Sequence, residues 1–122
     1  MGEGLVEFVE SGITEGDEVN KVLTLYIENM KREGADAIVL GCTHYPFLEG
    51  AISKIAGNSI HIINPAPAVA LQTQRVLSAL NSHRDSSSQY LFYSTGELKI
   101  LKMIARQIAP HLKDNQFLKV SI

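Results

Sequence analysis

The sequence has 122 residues, of which 45% are hydrophobic and 20% charged, with a formal net charge of -2. That is the size and balance of one small globular domain with its own core, not of a disordered, fibrous or disulfide-stapled chain, and it gives no electrostatic reason to bind nucleic acid or an anionic membrane. No apolar run is long enough to cross a bilayer, Met1-Gly2-Glu3-Gly4 has no signal-peptide character, and the single cysteine cannot close an internal disulfide, so a cytoplasmic protein with a free thiol is expected.

In chain order, the apolar-rich run Leu5 to Val9 reads as a short strand. From Asp17 to Arg32, Val19, Val22, Leu23, Tyr26 and Met30 recur at helical spacing, with acidic residues first, basic residues last and Gly34 just beyond, which predicts a helix. Ala37-Ile38-Val39-Leu40 is apolar without alternation and stops at Gly41, the pattern of a central parallel strand covered on both faces. Phe47 to Ala56 reads as a short helix, Ile60 to Ile63 as a second strand and Ala66 to Leu80 as a helix. The polar, serine-rich stretch Asn81 to Gln89 reads as an exposed loop. Tyr90 to Ser94 is a further strand, and Ser94-Thr95-Gly96-Glu97 offers a capping box to a helix from Leu98 to Ile108 with the stripe Leu101, Ile104, Ala105 and Ile108. Phe117 to Ile122 completes the chain as an edge strand or an interdomain contact. Alternating strands and helices predict an α/β fold with a parallel sheet flanked by helices.

Ligands of open α/β sheets bind beyond the carboxyl ends of the strands, which draws attention to Gly41-Cys42-Thr43-His44-Tyr45-Pro46. Gly41 allows a sharp turn and Pro46 presets the following helix, so Cys42 is expected near a helix N-terminus, where a thiolate is favoured. His44 adds a proton-transfer group, and Thr43 a hydroxyl able to hold a carboxylate or ammonium. Locally, the same residues also fit a small buried cysteine and a loop histidine. A metal is not expected: Cys42 and His44 make two ligands, and His61, His83 and His111 lack metal-ligand spacing. Hydrolysis by a Cys-His pair stays open from the pattern alone.

The segment Gly34-Ala35-Asp36-Ala37-Ile38-Val39-Leu40-Gly41-Cys42-Thr43-His44-Tyr45-Pro46-Phe47-Leu48 closely resembles the second cysteine motif of bacterial glutamate racemases. Phe8-Val9-Glu10-Ser11-Gly12 resembles that family's segment ending in a functional glutamate. Ile62-Ile63-Asn64-Pro65-Ala66 falls where the family continues after its next strand, and Phe92-Tyr93-Ser94-Thr95-Gly96 resembles its aromatic-Thr-Gly motif. Aspartate racemases of the superfamily tend to carry glutamate where His44 stands, so His44-Tyr45-Pro46 favours the glutamate branch.

The resemblance implies interconversion of L- and D-glutamate without pyridoxal phosphate or metal, by two cysteines on opposite faces of the α-carbon, in the service of peptidoglycan synthesis. It implies Cys42 as the base acting on L-glutamate, Thr43 as a substrate contact, and His44 as the proton-transfer assistant with Glu10 as its carboxylate partner. The family's Asp-Ser pair and Cys-Asn-Thr segment, which carries the partner cysteine, have no counterpart here, so the chain is expected to be the C-terminal half, inactive alone. Asn64 and Pro65 stand where the family pattern has an acidic residue and a serine. On that pattern, residues 1–64 belong to the second domain, and residues 65–122 return to a first domain not contained in this chain. An isolated half is expected to expose that surface and to dimerise or swap segments. The other classes are a non-catalytic truncated paralogue or binding module, and a superfamily racemase acting on aspartate.

Overall fold

The computed structural model describes residues 2–80 and 89–121. Its first unit begins with α1 (Leu5–Glu10), where the sequence reading placed a strand. The reason lies in Glu7: strand alternation would put it on the same face as Leu5 and Val9, whereas a helical turn buries Leu5 and Val9 together and leaves Glu7 exposed. Next comes α2 (Asp17–Arg32), which has the span its periodicity predicts and buries Val19, Leu23 and Ile27. β1 (Ala37–Val39) pairs in parallel with β2 (His61–Ile63), in the register Ala37 to His61 and Val39 to Ile63. The crossover between them is a 3-10 turn (Tyr45–Leu48) running into α3 (Glu49–Ala56). Leu5, Val9, Val19, Leu23, Ile27, Leu40, Leu48, Ala51, Ile52, Ala56 and Ile60 close one core between α1, α2, α3 and the sheet.

The second unit begins with α4 (Ala66–Ala79), in which no residue is buried. The predicted loop at Asn81 to Gln89 lies outside the described residues up to position 88. β3 (Phe92–Ser94) and β4 (Phe117–Lys119) form a second parallel pair, joined by α5 (Leu98–Ile108). Phe92 stacks on Phe117 with ring centroids 5.0 Å apart. Lys102 and Arg106 of α5 lie over the Phe117 ring and also bond the Asp114 carboxylate at 3.0 and 2.8 Å.

Two further expectations change. The sheet is not one layer covered on both faces but two separate parallel pairs, and Val39 is 60% exposed and Ile63 47% exposed. A continuous apolar strand signals burial in the finished protein, and here the covering layer on one side is not supplied by the described residues. The capping box also does not form. Glu97 is the residue at the head of α5 and makes no side-chain cap, while Ser94 Oγ instead accepts a hydrogen bond from the Gly96 backbone N–H at 3.0 Å.

Candidate active site

Leu40 is buried at the end of β1, and the chain then turns outward: Gly41 donates its N–H to the Val39 carbonyl at 2.9 Å, and Tyr45 to the Cys42 carbonyl at 3.1 Å. This tight turn projects Cys42, Thr43 and His44 beyond the sheet. The expected α-helix does not start there. A single 3-10 turn follows, with Pro46 in its first turn, and the α-helix begins only at Glu49, so the charge of a helix terminus is not what faces Cys42.

What does face it is His44. Cys42 Sγ lies 3.8 Å from His44 Nδ1, and the other ring nitrogen, Nε2, lies 3.3 Å from Glu10 Oε1 at the last residue of α1. Cys42 and His44 are half-buried. Thr43 Oγ1 is 3.4 Å from His44 Nδ1 and is exposed toward the same opening. The structure therefore brings Cys42, Thr43, His44 and Glu10 together. Replacing the expected strand by α1 is what delivers Glu10, since the helix ends beside the His44 loop. With Nε2–H donating to the Glu10 carboxylate, Nδ1 is left free to accept the thiol proton. The next residue, Tyr45, is held protonated at neutral pH: its phenol is pushed above the ordinary value of 10.0 first by burial, then by the charges of Cys42 and Tyr26 once ionised.

Cys42 and Thr43 form one wall of a cleft of about 430 Å3, whose opposite wall is Pro65, Ala66, Val69 and Ala70 from the start of α4. Apart from Cys42 and Thr43 its lining among the described residues is apolar and provides no cation for an acidic ligand. Among the described residues no three His, Cys, Asp or Glu side chains gather as a metal site would require. Sequence reasoning missed Glu49. Its carboxylate accepts a hydrogen bond from Asn64 Nδ2 at 2.7 Å, and Asn64 Oδ1 accepts the Ala66 N–H at 3.0 Å. An acidic residue in the first turn of a helix reads as dipole compensation, and only the parallel pairing of β1 and β2 reveals its second use.

Comparison with known proteins adds a second line of observation. No family model matches the chain. It is 35% identical over 121 residues to the glutamate racemase of Leifsonia xyli, covering 96% of this chain and 44% of that protein. It is 41% identical over 86 residues to the glutamate racemase of Herpetosiphon aurantiacus, covering 70% of this chain and 34% of that protein. Over most of its length the chain is similar to glutamate racemases. It spans less than half the length of the curated relatives it matches. The fold agrees: the crystal structure of glutamate racemase from Francisella tularensis, in complex with D-glutamate, superposes with a TM-score of 0.80 at 23% identity, over 97% of this chain and 44% of that one. The superposition takes in both α/β units, not merely the cysteine motif.

Proposed function

We propose that this chain is the part of a glutamate racemase that carries one of two catalytic cysteines, and that Cys42 works on one face of the substrate α-carbon. The observation that carries this reading is the continuous path Cys42 Sγ, His44 Nδ1, His44 Nε2, Glu10 Oε1 at the mouth of an apolar cleft. His44 Nδ1 takes the thiol proton, and the Glu10 carboxylate stabilises the imidazolium that results. The thiolate then removes the α-proton of L-glutamate, forming S–H and leaving a carbanion-like centre. Thr43 contacts the substrate. Inversion requires a proton from the opposite face, and the sequence has no second cysteine to give it. In the reverse direction the Cys42 thiol is the donor. The product, D-glutamate, serves peptidoglycan synthesis in the cytoplasm.

The same reading assigns residues 1–64 to the second racemase domain and residues 65–122 to a segment that packs on the first. Surface area supports it. The chain exposes 9005 Å2, whereas a compact monomer of its mass exposes roughly 6,500 Å2. The cleft supports it too, because none of its described lining residues is a cation to pair with the substrate carboxylates.

The test is conversion of L-glutamate in deuterated water, followed by NMR and chiral chromatography. This chain alone should not racemise. Supplemented with the complementary N-terminal half of a family member, it should turn over, and Cys42→Ala should abolish that turnover. Racemisation by the chain alone would overturn the single-cysteine reading, and a Cys42→Ala complex with undiminished activity would remove Cys42 from the chemistry.

A further inference from the structure

The wall of the Cys42 cleft formed by α4 is held in an unusual way. Most cleft walls are parts of elements packed into a core, but no residue of α4 is buried. Its first turn nevertheless supplies Pro65, Ala66, Val69 and Ala70, the side of the cleft that faces Cys42. Beyond the short backbone link after β2, one side chain ties this turn to the well-packed first unit. Asn64, directly after β2, uses both ends of its amide: Oδ1 accepts the Ala66 N–H at 3.0 Å, and Nδ2 donates to Glu49 Oε2 at 2.7 Å. Glu49 begins α3, whose Ala51, Ile52 and Ala56 are buried in the core.

We propose that Asn64 is a positioning residue that sets the width of the Cys42 cleft by tying the start of α4 to Glu49. The inference rests on the reading of this cleft as the reaction site, but it concerns cleft geometry and is tested without turnover. Its chemistry is specific to the amide. A carboxylate at position 64 can still accept the Ala66 N–H, yet it has no proton to give Glu49 and places two negative charges within hydrogen-bond distance. Capping and tethering are therefore separable by a single atom change. Apolar contact cannot compensate, because the α4 face is exposed along its length. The hydrogen bond to an ionised acceptor is also of the stronger kind, so its loss should open the wall measurably.

The experiment measures the alkylation rate of Cys42, the chain's one thiol, with a bulky maleimide and with the small reagent iodoacetamide, in the 122-residue protein. Asn64→Asp should speed the maleimide reaction about tenfold, the effect of losing one hydrogen bond to a charged group, and the iodoacetamide reaction much less. Adding Glu49→Gln to that variant restores a donor to the pair and should return the maleimide rate to within about twofold of the wild type. Circular dichroism confirms that each variant is folded. An unchanged maleimide rate in Asn64→Asp would show that Asn64 only caps α4. Equal acceleration of both reagents, without rescue by Glu49→Gln, would show general loosening. Either result overturns the proposal. Failure of the racemase reading would appear instead in the glutamate experiment, with these rates unaffected.

Discussion

Residues 2–64 and 65–121 each contain a parallel strand pair bridged by a helix, yet only the first set closes a core. In the first, α2 turns Val19, Leu23 and Ile27 onto α1 and α3, and all three are buried. In the second, α4 has comparable apolar residues, but Val69, Val76, Leu77 and Leu80 are 63%, 47%, 48% and 67% exposed. α5 repeats the contrast: Leu101, Ile104 and Ala105 are half-buried, while Ile108, the last residue of the predicted stripe, is 74% exposed. Periodicity encodes which face of a helix is to be covered, and says nothing about whether the cover is in the same chain. The second unit is held instead by Leu112, the stacked Phe92 and Phe117, and the Lys102, Arg106 and Asp114 cluster. That is a local clasp, and it leaves α4 uncovered.

The contrast is most easily broken by cutting matched leucines. Leu23→Ala removes a 2% exposed core side chain and should cost about 2–5 kcal/mol in urea unfolding. Leu77→Ala on α4, at 48% exposure, should stay within about 0.5 kcal/mol in the same assay. Equal costs would mean that α4 is packed in solution. Hydrogen exchange sharpens the same point: amides of α2 should exchange about a hundredfold or more slowly than those of α4, and the complementary half of a racemase should slow α4 without altering α2.

The smallest effect concerns the clasp. The Asp114 carboxyl is held below its ordinary value of 3.8, first by hydrogen bonds from Lys102 and Arg106 and then by their charges. A depressed folded value means that its stabilisation is present above the unfolded value of about 3.9 and is lost as pH falls through the folded one. Asp114 is fully exposed, so the contribution is minor. Asp114→Asn should lower the urea midpoint slightly at neutral pH and flatten its decline below about pH 4, while leaving residues 2–64 unchanged.

Much of the candidate site was legible before any coordinates. The turn after Leu40 and the placing of Cys42, Thr43 and His44 beyond β1 match what the motif residues suggested, and the meeting of His44 with Glu10 matches what the resemblance implied, with His44 Nε2 3.3 Å from Glu10 Oε1. The route was different: Glu10 arrives on a helix, not after a strand, because Glu7 cannot share a buried strand face with Leu5 and Val9. The group that faces Cys42 is likewise His44 and not a helix terminus, since Pro46 sits in a 3-10 turn that separates the cysteine loop from α3. The link between Asn64 and Glu49 was invisible, because residues fifteen apart meet only through the β1–β2 pairing.

By itself the sequence determined the order of strands and helices from Asp17 onward, the span of α2 and α5, and the placing of Cys42, Thr43 and His44 just beyond β1. These follow from local spacing and side-chain chemistry, which act over a few residues. Tertiary structure alone decided that the sheet divides into two pairs, that α4 lies uncovered, and that one amide joins it to the cysteine cleft. Those outcomes depend on which surfaces find partners across the fold, and burial is a property of the assembled neighbours, not of any segment's own pattern.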